Sequence, residues 1–133
     1  MRKKQVVAER TRVRTKLAPA AIGPYSQAVI AGDTLYCSGQ IAIDPDTGHM
    51  VTSGIEAETE RVLDNMRGVL TAAGMSMDHV VACRVYMTDI NDYAQVNEVY
   101  ARYFGENAPA REAIQAAALP RDARVEISCI AVR

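Results

Sequence analysis

The chain has 133 residues, 49% hydrophobic and 23% charged, with a formal charge of −1. That length fits one domain able to bury roughly two-thirds of its extended surface, with the composition of a soluble globular protein. The near-zero charge gives no electrostatic reason to expect nucleic acid or an anionic membrane as main partner, and six Tyr, one Phe and no Trp leave little for a base-stacking platform.

Residues 1–17 read as a basic arm, with Arg2, Lys3, Lys4, Arg10, Arg12, Arg14 and Lys16 against a single Glu9. The arm lacks the serines and the amphipathic pattern of an organelle-targeting peptide, and Gln5-Val6-Val7 reads as a first, edge strand. From residue 18 to 133 no repeat, linker or low-complexity tract divides the sequence. Tyr25 to Ile30 and Thr34 to Ile43 are predicted strands joined by the hairpin connection Ala31-Gly32-Asp33. Asp44-Pro45-Asp46-Thr47-Gly48 is a turn; Ile55 stands where a calcium loop needs its bidentate glutamate, which argues against calcium. Ser53-Gly54-Ile55-Glu56 has the spacing of a capping box. The helix after it carries Ile55, Val62, Leu63, Met66, Leu70 and Ala73 as one apolar stripe, closed by Gly74. Val80 to Thr88 is a strand, and Asp92 to Phe104 a second helix with Tyr93, Val96, Tyr100 and Phe104 along its stripe. Two last strands, Arg111 to Leu119 and Arg124 to Val132, flank the turn Pro120-Arg121-Asp122.

This order predicts an α+β domain with both helices on one face of a sheet. In the last strand Val125, Ile127, Cys129 and Ala131 point one way, while Ile130 and Val132 share the other face with Glu126 and Ser128. A sheet apolar on both sides with helices for only one needs a second cover, and identical neighbours are the simplest source, so a homo-oligomer is expected. No stretch approaches the ~18 apolar residues of a membrane span. Cys37, Cys83 and Cys129 are odd in number and far apart in sequence, which fits a reducing, cytoplasmic compartment better than a disulfide framework. Neither His49 nor His79 has a partner at metal-ligand spacing, which argues against zinc.

Five features are candidates for chemistry. Arg111, in Asn107-Ala108-Pro109-Ala110-Arg111, offers a guanidinium fork matched to a carboxylate. Tyr25 follows a rigid Gly23-Pro24 turn, Ser38-Gly39 ends a strand where a ligand could approach the backbone, Asn97 puts an amide on the second helix, and Glu126 places a carboxylate in an apolar strand. Each has a structural alternative. Arg111 reads equally as a solvated arginine, Tyr25 as a boundary residue, Ser38-Gly39 as a bulge, Asn97 as a solvated helix residue, and Glu126 as the partner of an arginine.

Taken together, Ala18-Pro19-Ala20-Ala21-Ile22-Gly23-Pro24-Tyr25-Ser26-Gln27-Ala28, Ser38-Gly39-Gln40-Ile41, Val96-Asn97-x-x-Tyr100, Pro109-Ala110-Arg111 and Leu119-Pro120-x-x-Ala123-x-Val125-Glu126-Ile127 closely resemble the Rid (YjgF) family of reactive-intermediate imine deaminases. The resemblance runs from about Ala18 to Arg133, and the Ile-Gly-Pro-Tyr and Pro-Ala-Arg elements look most like its RidA branch. It implies a chorismate-mutase-like α+β subunit and a homotrimer with three clefts between subunits. It further implies hydrolysis of 2-imino acids and their enamine tautomers, such as 2-aminoacrylate and 2-iminobutanoate, to 2-oxo acids and ammonia, with no PLP, metal or other cofactor. On that resemblance Arg111 would grip the substrate carboxylate, and Tyr25, Ser38, Gly39 and Asn97 would line the cleft. Glu126 and the main-chain carbonyl of Ala113 would hold the attacking water.

Two positions depart from the family pattern: Ala113 stands where several members carry cysteine, and Glu112 where a small residue is usual. The arm is also longer and more basic than the resemblance leads one to expect. The competing readings are a non-catalytic regulatory trimer binding small 2-oxo or amino acids in the same cleft, and a ribonuclease, translation-inhibitor or chaperone role.

Overall fold

The computed structural model describes residues 5–133. Its elements are β1 (Arg10–Val13), β2 (Ala28–Ala31), β3 (Thr34–Gln40), α1 (Ile55–Ala72), β4 (Val80–Met87), α2 (Tyr93–Phe104), β5 (Ala110–Gln115) and β6 (Val125–Val132). They build one six-stranded sheet in the order β1-β2-β3-β6-β4-β5. Every pairing is antiparallel except β4 with β5, which run parallel through the α2 crossover. The fold is the expected α+β arrangement, two helices on a mixed sheet. No helix among the described residues is long and apolar enough to cross a membrane.

Of the predicted α1 stripe, Ile55, Val62, Leu63, Met66 and Leu70 are buried, and Ala73 is only half-buried. Val69, outside the predicted stripe, is fully buried with them against Leu35, Val85, Met87, Val125, Ile127 and Ala131 of the sheet. β6, central in the sheet, buries every second residue from Val125 to Ala131. Its other residues therefore look away from the helices, toward a face where Tyr36, Ile114 and Val132 are exposed. Two buried amides tie loops to this frame. Asn65 donates to the carbonyls of Ile41 (3.1 Å) and Ile43 (2.8 Å), pinning the segment after β3 to α1. Gln27 accepts from Thr15 N at 2.8 Å and donates to the carbonyls of Thr15 (3.0 Å) and Pro19 (2.8 Å), which folds the end of the arm beside Tyr25. At Gly68 a Cβ would run into the Leu17 carbonyl, so glycine inside α1 is what lets the arm lie close.

The structure corrects several expectations. The first strand is not Gln5-Val6-Val7 but Arg10–Val13, still within residues 1–17. Val6 and Val7 have nothing to bury them and stay exposed, whereas Val13 reaches the core. Arg2, Lys3 and Lys4 lie outside the described residues. The capping box does not form. Gly54 is the N-cap without a side-chain bond, and Glu56 instead reaches Arg102 of α2 at 2.7 Å. The strands are shorter than predicted. β3 ends at Gln40 because its register shifts between Cys37 and Gln40, and β5 ends at Gln115. Gly74 takes the left-handed conformation (φ 74) just past the Ala73 C-cap.

One buried charge holds α1 to the start of β6. Glu58 is buried, and Arg124 donates to its Oε2 from Nε at 2.6 Å. Arg124→Ala leaves that carboxylate buried and unpaired. Since the arginine is itself 43% exposed, the expected loss is about 2 kcal/mol, at the low side of breaking a buried pair. Urea unfolding of Arg124→Ala and of Glu58→Gln, which keeps a neutral acceptor, checks this, with the glutamine variant the less destabilised of the two.

Candidate functional site

The predicted site residues fall into two groups, each well ordered by its own neighbours. The first is on the helix side of the edge strand β5. Arg111 pairs in register with Cys83 of β4, whose side chain is in the core, so the arginine leaves the sheet on that same side. There its guanidinium stacks over Tyr100 (4.8 Å to the ring centre) and Tyr93 (5.4 Å), and Nη2 donates to the Tyr93 hydroxyl at 2.8 Å. Among the described residues no carboxylate pairs with it. Asn97, one turn along α2 from Tyr93, is half-buried, and its Oδ1 has no hydrogen-bond partner among the described residues. Ala113 follows Arg111 on the same side of β5, opposite Val85. Glu112, between them, is exposed on the other side, across from Arg84. It faces away from Arg111, as strand alternation requires.

The second group is on the open side of the sheet, in a cleft of about 430 Å³ lined by Tyr25, Ser38, Gly39, Arg121 and Glu126 among others. The irregularity of β3 at residues 38–39 makes room for it. Ser38 Oγ donates to the Ser26 carbonyl at 2.6 Å, which fixes the strand to the Gly-Pro-Tyr turn. Gly39 lies directly under Glu126: a Cβ there would be 2.6 Å from Glu126 Oε2. Glu126 has no ion-pair partner among the described residues, so the reading of it as an arginine's structural partner fails. Burial raises its carboxyl above the ordinary range. Arg121 enters the cleft from a turn whose two residues Arg121 and Asp122 both have left-handed backbone (φ 55 and 54).

The chain thus brings Arg111 together with Asn97 and Ala113, and Glu126 together with Tyr25, Ser38 and Gly39. It does not bring the two groups together, because they issue from opposite faces of one sheet.

Three residues of the site escape sequence reading. Tyr93 reads as part of a buried stripe but is 41% exposed and turned to Arg111. Tyr100 is in the stripe as expected, and it also floors the guanidinium. Arg121 reads only as a turn residue. The Tyr93 to Asn97 spacing of four is the one signal that could have linked the first group.

The three cysteines, far apart in sequence, are adjacent in space, since Cys129 pairs with both Cys37 and Cys83 across β3, β6 and β4. All are buried free thiols. Burial pushes Cys83 up to about 11, and hydrogen bonding to Cys37 together with burial raises Cys129. Cys83 and Cys129 are therefore protonated core residues at neutral pH.

Residues 15–133 match the family described as Endoribonuclease L-PSP. The chain is 48% identical over 121 residues to the human protein named 2-iminobutanoate/2-iminopropanoate deaminase, covering 91% of this chain and 88% of that one. It is 50% identical over 119 residues to a RutC family protein of Pyrococcus horikoshii, with 90% and 94% covered. Among solved structures, a Yersinia pestis protein of the Rid family superposes with a TM-score of 0.92 at 46% identity, over 94% of this chain and 100% of that one. This chain belongs to the Rid family. E. coli TdcF, solved with bound serine, superposes with a TM-score of 0.89 at 39% identity, over 92% of this chain and 98% of that one. Within the Rid fold, then, the two groups of candidate residues sit on a shared scaffold whose relatives carry different functional names.

Burial of Glu126 sets a measurable pH dependence. Its folded-state pKa lies above the unfolded one, so the folded state holds the proton more tightly. The associated stability is present below the unfolded carboxyl pKa and is lost as pH rises through the folded value. Glu126→Gln, which cannot ionise, should therefore melt higher than the wild type at neutral pH and converge with it in acid. Thermal melts across that range check the sign; an unchanged or lower melting point at neutral pH contradicts it.

Proposed function

We propose that this protein is a cofactor-independent deaminase that hydrolyses 2-imino acids and their enamine tautomers to 2-oxo acids and ammonia. The observation that carries the reading is the Arg111 guanidinium, held on two tyrosine rings with no carboxylate partner among the described residues. A planar cation fixed in this way is preorganised for the bidentate grip of a small carboxylate. The deaminase name of the human relative and the serine bound by TdcF agree with a ligand of that size and charge.

The chemistry asks for little beyond placement. A protonated imine carbon is already electrophilic, so an oriented water is a sufficient nucleophile. Glu126, desolvated and raised in pKa, takes a proton from that water as its oxygen bonds to the C=N carbon. The carbinolamine then collapses: the proton on Glu126 passes to the amine nitrogen, the C–N bond breaks as the hydroxyl oxygen forms the C=O bond, and the hydroxyl proton goes through Glu126 to the departing ammonia, which leaves as ammonium beside the 2-oxo acid. Tyr25, Ser38, Gly39 and Asn97 line the cleft in this reading, and the Ala113 main-chain carbonyl is the second acceptor for the water.

Arg111 and Glu126 act on one substrate only if two subunits meet. We therefore read the assembly as a homotrimer in which the β5 edge of one subunit closes the Tyr25–Glu126 cleft of the next. The exposed Tyr36, Ile114 and Val132 on the open side of the sheet supply apolar area for such contacts.

The test is a coupled assay in which 2-aminoacrylate or 2-iminobutanoate is generated in situ and oxo-acid release is followed. Arg111→Lys should lose roughly 10²-fold or more in kcat/KM, because an ammonium cannot reproduce the fork. Glu126→Gln should lower kcat by roughly 10²-fold with carboxylate binding retained. Binding of 2-oxobutanoate without turnover would instead make the protein a regulator.

Mixing tests the shared site directly. Arg111→Ala and Glu126→Gln subunits, each inactive alone, should recover about a quarter of wild-type activity when unfolded and refolded together, since one site in four then receives both intact halves. No recovery would place the whole site within one chain.

A further inference from the structure

The mechanism above uses the Tyr93 ring as a support for Arg111 but not the Tyr93 hydroxyl, whose contact with the guanidinium is specific. Arg111 Nη2 donates to the Tyr93 oxygen at 2.8 Å. A phenol that accepts in this way keeps its own O–H proton for another partner. Tyr93 is exposed at the first turn of α2, so its hydroxyl lies beside the guanidinium and not in the core, free to donate to a ligand there. Arg111 is the donor and carries five N–H groups, so the contact leaves most of its fork free.

We propose that Tyr93 is a second carboxylate-binding residue: its hydroxyl, accepting from Arg111, donates to the same substrate carboxylate that the guanidinium holds. The inference rests on the reading of Arg111 as a carboxylate anchor and deepens it. Asn97 supports the arrangement. It stands one turn along α2 from Tyr93, and its buried Oδ1 has no hydrogen-bond partner among the described residues. Hydrogen bonding from Asn97, followed by the Arg111 charge, holds the Tyr93 phenol below the usual tyrosine range. A phenol acidified by two donors is a stronger donor in turn. The site would thereby favour small 2-imino and 2-oxo acids, whose carboxylate offers two oxygens to two differently placed donors, over neutral analogues such as the amides.

This gives binding a distinctive alkaline limit. Once Tyr93 ionises it cannot donate, and the phenolate repels the anion. Arg111 on β5 is the charged group facing the phenol. Cys83 and Tyr100, which pack against Arg111, are both raised by burial and stay neutral as Tyr93 titrates. Asp92, next in sequence, acts on Arg124 instead.

The experiment measures 2-oxobutanoate binding by titration calorimetry from about pH 7 to about pH 10, around and below the ordinary tyrosine pKa, for wild type and Tyr93→Phe, with the deaminase assay alongside. Tyr93→Phe should weaken binding by roughly tenfold, the usual contribution of one hydrogen bond to a charged group, and raise KM by the same factor with kcat within about twofold. Wild-type affinity should fall toward the alkaline end while the variant's stays level. Equal affinities and superimposable pH profiles would overturn the inference and leave the deaminase reading standing if turnover is seen. Binding with the expected contrast but no turnover of any imine would remove the deaminase reading and keep Tyr93. Absence of 2-oxobutanoate binding by the wild type would remove both.

Discussion

The constraint on which the structure depends is strand alternation beneath a one-sided layer of helices. β6 can satisfy α1 only by sending Val125, Ile127, Cys129 and Ala131 to the same side, all buried. Glu126 has no choice but the opposite face. A slip of one residue would bury that carboxylate under α1 and expose the core set, so register is specified by the same apolar contacts that stabilise the domain. β5 obeys the rule from its own register: with Arg111 level with Cys83 and Glu112 level with Arg84, the cation goes to the helix side and the acid away from it.

From that constraint comes the division of the site. Opposite charges that could neutralise one another inside a chain are kept apart by the thickness of a sheet. Arg111 is satisfied by ring faces and a phenol, which orient a guanidinium without cancelling its charge. Glu126 is desolvated over a glycine, which raises its pKa without giving it a counter-ion. Among the described residues neither group has an ion-pair partner, and the acid also has small residues and irregular backbone beside it. The bulge at residues 38–39 and the left-handed pair Arg121-Asp122 stand beside the acid. Such departures from regular structure are what a domain tolerates where a ligand has to come close.

Contrast between the buried ions makes the same point. Glu58 is deeper in the protein than Glu126, yet it is held by Arg124 at 2.6 Å and serves to join α1 to the sheet. Two glutamates in one domain therefore differ in their surroundings, and the presence of a counter-ion among the described residues separates them. The cysteines are a similar case. Three thiols in a row across the central strands could suggest redox chemistry, but burial at Cys83, and hydrogen bonding to Cys37 with burial at Cys129, keep those two protonated, and they act as packing.

Much of this was legible in the order of residues, because it rests on local periodicity. The α1 stripe, the one-sided helices, the two-faced last strand and the outward Glu112 all follow from spacings of two, three and four along the chain. The motifs around Tyr25, Ser38-Gly39, Arg111 and Glu126 pointed to the family for the same reason. What spacing could not supply was any statement about partners distant in sequence. The capping box failed because Glu56 found Arg102 on the other helix. Tyr93 left its stripe because Arg111, brought beside α2 by the β4–β5 pairing, offered a cation to its ring. The Cys37–Cys129–Cys83 row appeared only when β6 inserted between β3 and β4. Periodicity fixes which side of an element a residue faces, since that is a property of backbone geometry; what it meets there is set by which elements pack together, and that is decided by the burial of the whole chain at once.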